Sequence, residues 1–376
     1  MGVQGDLFGP ATQPIAPAAP LPPELPPAAP AGPPTLTLID ASGFVFRAYH
    51  ALPPLTTSKG VPTHAVLGFT RMLLKLLRER KPTHLALCFD KDSRKGRLAI
   101  DPNYKANRDA PPPDLSMQFE LIRKVAAVLD VPILEEPGWE ADDVIATLVK
   151  RARAAGMATQ IVTSDKDFLQ LLAPDVSIYD PVKDSPIDAA LALERFGVEP
   201  SQMREYQALV GDAIDNIPKV PGVGPKTAVE LLKRFGTVEN LIAHVDEIEK
   251  PKLKAAIKEN VEQLRRAYQL VSFRDEPPAV ADPTALAVRP VHKAEARALF
   301  TELEFYRLIN EMPAADATPL AREATIVAEA ASLASLRELL VTTKRVAISP
   351  FFEAASSHRA MSMPLIACRP IPRRPE

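Results

Sequence analysis

The sequence predicts an α/β domain built on a mainly parallel sheet, followed by a wholly helical subdomain. Three observations predict it. Between Thr35 and Tyr179, short β-rich runs alternate with runs of helical period, the pattern of strands joined by crossover helices. Three of these strand runs end at or just before an aspartate: Asp40, Asp90 and Asp165. From 187 to 275 the strand signals cease and helical periods follow one another.

The elements are expected in this order. Residues 1–34 are dominated by Pro and Ala, which support neither a ladder nor a helix, so a disordered, locally extended tail is expected there. A strand at 35–39 comes next, then a helix at 66–77 that Pro82 terminates. Strands at 85–89 and 131–134 flank a helix at 119–129. An amphipathic helix at 141–155 closes at Gly156. Strands at 160–163 and 177–179 complete the sheet, giving a core at 35–186. In the subdomain at 187–275, helices are expected at 187–196, 202–209, 226–235, 238–244 and 252–270. A Pro-rich linker and a helix at 294–309 fill 276–320. The stretch 321–376 offers strands at 325–328 and 345–348 and a helix at 333–340, too little for a core of its own.

Composition narrows the function. The 376 residues include 45 Lys+Arg against 47 Asp+Glu, a net charge of -2. A global basic surplus is absent, although acidic site residues can mask a local basic patch in that sum. Two cysteines, Cys88 and Cys368, allow no disulfide framework and no CxxC metal site, and fit a reducing cytoplasm. With no run of 18 apolar residues and no basic residue before Arg47, neither a membrane span nor a signal peptide is expected.

Nine acids mark the ends of apolar runs: Asp40, Asp90, Glu140, Asp142, Asp143, Asp165, Asp167, Asp212 and Asp215. Each local group has an ordinary reading, because acids cap helix N-termini and occupy turns. Their conjunction is harder to explain by capping. Sites in open α/β sheets form outside the carboxyl ends of the strands, and several acidic clusters converge there. Gathering so many carboxylates is repulsive unless cations neutralise them. Oxygen-only donors select Mg²⁺ or Mn²⁺ over zinc, and two such ions can clamp a scissile phosphate.

Phosphate-handling elements follow. Gly222, Val223 and Gly224 permit a tight turn with exposed amides. Pro225 suits the first position of a helix whose N-terminus faces an anion well, and Lys226 and Thr227 add donors. With Lys219 this is a helix-hairpin-helix pattern for gripping a DNA backbone without sequence preference. A second basic stretch carries Lys91, Arg94, Lys95, Arg97, Tyr104, Lys105 and Arg108 before three prolines at 111–113. Basic residues interleaved with an aromatic suit a single strand.

Taken together, these strings resemble the 5′-nuclease domain of bacterial DNA polymerase I, within the flap endonuclease superfamily. The resemblance rests on Leu38-Ile-Asp40, the run from Phe46 to Thr56, Phe89-Asp90, Tyr104-Lys105-Ala-Asn-Arg108, Glu140-Ala-Asp-Asp-Val-Ile145, Ser164-Asp-Lys-Asp167 and Gly211-Asp-Ala-Ile-Asp-Asn216 with its hairpin. It covers about 36 to 275 and implies a PIN-like core. It further implies two or three Mg²⁺ ions (Mn²⁺ as substitute) held by all nine acids, a K⁺ ion at the hairpin, and cleavage of 5′ ends and flaps of DNA by a monomer. Arg47, Lys105 and Arg108 would contact the scissile region, Tyr104 would stack near it, and 93–117 would form a helical arch, Arg97 included. Lys219 stands where the family has Gly, Pro225 where an acid is common, Ala41 where Gly follows the first Asp, and Gly96 where an aromatic precedes the arch arginine. At 346–352 the polymerase family would begin its proofreading domain, but Ser349 and Phe351 occupy the places of its two acids. A degenerate remnant without proofreading or polymerase activity is expected at 321–376, with a separate polymerase as a partner. Rival readings are a truncated polymerase fragment, a non-catalytic DNA-structure binder, a PIN-class RNase and a small-molecule phosphohydrolase.

Overall fold

The structure is a computed structural model. It describes residues 34–311 apart from 92, 94, 109, 275, 276, 278 and 279, together with three strands beyond them. Nearly all of the tail expected at 1–34, the linker at 313–319 and the helix at 333–340 lie outside the described residues.

The chain runs β1 (Thr35–Asp40), α1 (Ala41–Ala51), α2 (His64–Arg80), β2 (His84–Cys88), α3 (Lys95–Leu98), α4 (Pro113–Val128), β3 (Ile133–Leu134), α5 (Ala141–Ala154) and β4 (Ala158–Val162). A 3-10 turn (Lys166–Leu171), β5 (Val176–Asp180), β6 (Ser185–Ile187) and α6 (Ala189–Phe196) close the α/β part. Then come α7 (Met203–Val210), α8 (Pro225–Phe235), α9 (Val238–Ala243), α10 (Pro251–Glu259), α11 (Val261–Val271), α12 (Lys293–Glu302) and α13 (Tyr306–Glu311). Among the described residues, no helix is long and apolar enough to cross a membrane.

The six strands lie in the order β3-β2-β1-β4-β5-β6. All neighbours are parallel except β5 and β6. The chain leaves β1 for β2 on one side and returns to β4 on the other, so the topological switch point falls between β1 and β4. That is where a doubly wound sheet opens a crevice. Strand alternation sorts the core into two layers. Leu36, Leu38, Ala86, Cys88 and Ile161 pack with α5 and with helices of the second half. Ile39, Leu85, Leu87 and Val162 pack with α1, α2 and α4. Cys88 is a buried free thiol, the small filler expected of its run.

Local chemistry explains where elements start and stop. Asp40 ends β1 and its side chain accepts from Gly43 N at 3.1 Å, which starts α1, a helix that periodicity does not announce. A Cβ on Gly43 would stand 2.6 Å from Asp40 Oδ2, so a glycine lets the cap close. The helix expected at 187–196 is shorter, because β6 occupies its first residue and Asp188 caps it by accepting from Leu191 N. The helix expected at 252–270 is two. Asn260 separates α10 from α11 and donates its amide to Ala256 O at 2.7 Å, a side-chain bond that competes with helix continuation. The helix at 294–309 is likewise two, broken where Glu304 takes φ 60°.

Residues 280–311 pack onto the α/β body. Leu85 N donates to Leu286 O and Val288 N to Thr83 O, both at 2.9 Å, extending the sheet beside the start of β2. Ala296, Leu299, Phe300, Leu303, Phe305 and Leu308 are buried in the α2–α4 layer. The chain separates into one unit ending at Pro313 and a second at 314–376. The described part of the second unit is an antiparallel sheet of β7 (Thr325–Val327), β8 (Val346–Phe351) and β9 (Leu365–Pro370), in the order β7-β9-β8.

Candidate functional site

The acids gather at the switch point. Asp40 ends β1 and accepts from Thr163 Oγ1, just past β4, at 3.0 Å. Asp90 follows β2. Its amide donates to Ser42 Oγ at 3.0 Å, and its carboxylate accepts from Ala141 N at 3.0 Å, tying it to the N-terminus of α5. Glu140, Asp142 and Asp143 open that helix. Asp165 caps the 3-10 turn by accepting from Asp167 N at 2.9 Å. Asp212 caps the next loop by accepting from Ile214 N at 2.8 Å.

Their charges act on one another. Burial and then the Asp165 charge, with a smaller effect of Asp90, push Asp40 up to about 6 despite its hydrogen bonds. Burial, Asp40, Glu140 and Asp165 hold Asp142 well above the usual carboxylate range. Burial and Asp165 raise Asp167 to about 7, with Asp215 and Asp212 adding to it against Lys166. Carboxylates from β1, the β2 end, α5, the β4 end and the 212–215 loop therefore share one electrostatic environment.

Cations face this pocket. Lys105 Nζ lies 3.0 Å from Glu140 Oε2 and 3.6 Å from Asp215 Oδ2. Arg108 pairs with Asp215, and the Tyr104 hydroxyl donates to Glu140 Oε2 and Asp215 Oδ2, each at 3.2 Å. Burial and then those two carboxylates push the Tyr104 phenol upward. Lys166 pairs with Asp212. Burial works against ionised Asp212, but the Lys166 bond and charge outweigh it and hold the carboxyl low. The backbone of the basic segment is docked as well. Lys105 N donates to Asp215 O at 2.9 Å and Asn216 Nδ2 to Asn103 O at 2.7 Å. Lys105 and Asn216 both sit at positive φ, 52° and 56°, a conformation that side-chain-bearing residues hold only when their surroundings enforce it.

The donor set is all oxygen, which suits a hard divalent cation. Glu140 Oε1 is buried with no hydrogen-bond partner, an oxygen left available to such an ion. Most of the carboxylates are turned toward protein partners, and among the described residues no three His, Cys, Asp or Glu side chains gather closely enough to hold a metal as they stand. The chemistry of the site fits the ion, and side-chain rotation would have to close it.

Three residues expected at the site are engaged within the protein. The sequence offers Asp143 as a metal ligand, but it is fully buried and engaged: Arg97 grips both its oxygens at 2.9 Å and Arg274 N donates to it at 2.8 Å. It offers Arg97 to DNA, but Arg97 is 3% exposed and its guanidinium is spent on Asp143, Glu140 and two backbone carbonyls. It offers Val223 to the DNA grip, but the Val223 side chain is in the core and its amide donates to Val220 O at 3.0 Å. The rest of the hairpin faces outward. Lys219, Gly222 and Lys226 are exposed, Gly222 takes φ 78°, and Gly224 precedes Pro225 at the start of α8 with Thr227 in its first turn. Arg47 is exposed on α1. Sequence reasoning misses Thr163, Ser42, Lys166 and Gln207, the last donating to Asp167. Lys166 carries a usable signal, since it stands between two of the acids.

Comparison with known proteins agrees with this architecture. Residues 35–197 match the model of the 5′-3′ exonuclease N-terminal resolvase-like domain, and 198–294 that of the 5′-3′ exonuclease C-terminal SAM fold. A 5′-3′ exonuclease of Aquifex aeolicus is 37% identical over 280 residues, 74% of this chain and 95% of that protein. DNA polymerase I of Rhizobium leguminosarum is 41% identical over 301 residues, 78% of this chain; the match spans only 30% of the polymerase. A bacteriophage T5 D15 flap endonuclease, solved as a pseudo-enzyme-product complex with DNA and metal ions, shares the fold. Its TM-score is 0.55 at 22% identity, over 72% of this chain and 99% of that one.

Proposed function

This chain belongs to the 5′-3′ exonuclease family, and from that premise we propose that it is a divalent-cation-dependent nuclease cutting DNA at 5′ ends and flaps. The observation that carries the proposal is the set of mutually perturbed carboxylates at the switch point, faced by the basic segment 104–108. Asp40, Asp90, Glu140, Asp142, Asp165, Asp167, Asp212 and Asp215 would hold two or three Mg²⁺ ions, with Mn²⁺ as a substitute. Bound there, such ions would supply Lewis acidity at the water and at the scissile phosphate. The DNA and metal ions bound by the T5 endonuclease support the same classes of ligand here.

The chain's own residues orient the substrate. Lys105 and Arg108 carry their charges on a docked, conformationally fixed segment, so a phosphate entering beside Glu140 and Asp215 meets cations already in place. Tyr104 is buried and donates its hydroxyl to Glu140 and Asp215, fixing where those two carboxylates stand. Arg47, exposed on α1, offers a further phosphate contact. Lys219, Lys226, Thr227 and the amides around Gly222 and Gly224 would grip the duplex backbone away from the cut, and the turn would take a K⁺ ion. The unit at 314–376 has no assigned part in this chemistry. A labelled 5′-flap duplex incubated with Mg²⁺ should be cut to a 5′-phosphate product, and an RNA flap cut more slowly. Failure to cut any 5′ structure in Mg²⁺ or Mn²⁺ would defeat the proposal.

A further inference from the structure

Arg97 spends every nitrogen of its guanidinium on a protein partner. Nε donates to Leu270 O at 3.1 Å, Nη1 to Asp143 Oδ2 at 2.9 Å with Glu140 Oε2 at 3.4 Å, and Nη2 to Asp143 Oδ1 at 2.9 Å and Ser272 O at 3.1 Å. Three distant segments therefore meet on one buried side chain: α3, the N-terminus of α5 and the end of α11. Arg274 completes the arrangement. Its amide donates to Asp143, its guanidinium donates to Gly138 O at 3.0 Å, and its Cζ lies 3.6 Å from the centre of the Trp139 ring. The same guanidinium lies against Gly96, where a Cβ would stand 2.0 Å from Nη1.

We infer that Arg97, Asp143 and Arg274 form an ionic pin that positions Glu140 for the cation site, with Gly96 as the gap that admits Arg274. The inference rests on the cation-binding reading of the crevice. Asp143 is then a positioning residue, neither a ligand nor a simple helix cap. Its carboxylate takes both forks of Arg97, so Glu140, 1% exposed and 3.4 Å from Arg97 Nη1, shares that arginine's charge instead of bearing it alone. Glu140 keeps one buried oxygen unengaged. Remove the Asp143 charge and Arg97 turns to Glu140, in competition with any metal. A buried charge left without its partner is strongly unfavourable, whereas removing both members of a pair is far milder.

The test is Mn²⁺ binding to the full chain without DNA, followed by calorimetry or electron paramagnetic resonance. Asp143→Asn should weaken Mn²⁺ affinity by about 10-fold, the lower end for outer-shell partners. The double variant R97Q/D143N, which removes both charges, should return to within about 2-fold of wild type, as expected if Asp143 acts only through Arg97. A folded double variant that stays 10-fold weak or worse makes Asp143 a ligand and overturns the pin; so does a folded D143N with unchanged affinity. Should D143N not fold, the double variant alone decides between these outcomes. Wild type failing to bind Mn²⁺ would instead overturn the crevice reading. Trp139 is the only tryptophan, so its emission reports the pin directly. Gly96→Ala and Arg274→Ala should change it alike, and an unaltered spectrum in G96A would remove Gly96 from the inference.

Discussion

Replacing Asp40 by asparagine should stabilise the protein in EDTA while abolishing its cleavage in Mg²⁺. Asp40 is almost fully buried, and its carboxyl is raised from 3.8 to about 6, first by burial and then by Asp165. A carboxyl with a raised folded pKa binds its proton more tightly in the folded state. Its contribution is therefore intact below the unfolded pKa and is lost as pH climbs from about 3.8 through about 6. Two units correspond to about 3 kcal/mol of instability at pH 8, and roughly 1 kcal/mol at pH 4.5. Asparagine keeps the acceptor for Gly43 N but forfeits the charge-assisted bond from Thr163, costing about 1 kcal/mol. The expected gain is thus about 2 kcal/mol at pH 8 and near zero at pH 4.5. Urea denaturation of both proteins at the two pH values measures it. Equal or lower stability of D40N at pH 8 would show that the carboxylates do not burden one another, and with that the shared pocket fails. Adding Mg²⁺ should stabilise wild type more at pH 8 than at pH 4.5, and D40N little at either.

Other perturbations separate the parts of the molecule. Asp142→Ala should lower flap cleavage by more than about 10³-fold, the scale of losing a group that stabilises transition-state charge. Flap affinity measured in Ca²⁺ should stay within a few-fold, and comparable losses in both would assign Asp142 to DNA binding. Lys219→Ala and Lys226→Ala should each reduce the salt slope of duplex binding by about 1, with a uniform loss across sequences; an unchanged slope would take that lysine off the phosphate path. Ending the chain at 282 removes the strand-like pairing at 286–288 and the buried face of α12 and α13. At roughly 1.5–3 kcal/mol per large side chain, the loss should exceed about 5 kcal/mol. A truncated protein as stable as the full chain would mean that those helices are an ornament on the core.

Asp40, Asp90, Glu140, Asp142, Asp143, Asp165 and Asp167 are legible because they sit near strand ends or helix starts, and strand direction carries such positions to one edge of a parallel sheet. Local pattern also carries β1, β2, β4 and the start of α5. It fails where the deciding interaction is distant in sequence. Asp143 reads like Asp142 in one dimension; only the fold delivers Arg97 to one of them and not the other. Val223 lies between two glycine positions of the hairpin, and only packing decides that its side chain points inward. The breaks at Asn260 and Glu304 go unseen because a period of apolar residues continues across them.

The sequence alone determined the layering, the place of the crevice and its all-oxygen side-chain chemistry, since periodicity and residue chemistry are local properties. The tertiary structure decided which charges are free. Whether a carboxylate faces a metal or a guanidinium depends on which remote segment is packed beside it, and burial then fixes the choice by making an unpaired charge too unfavourable to keep.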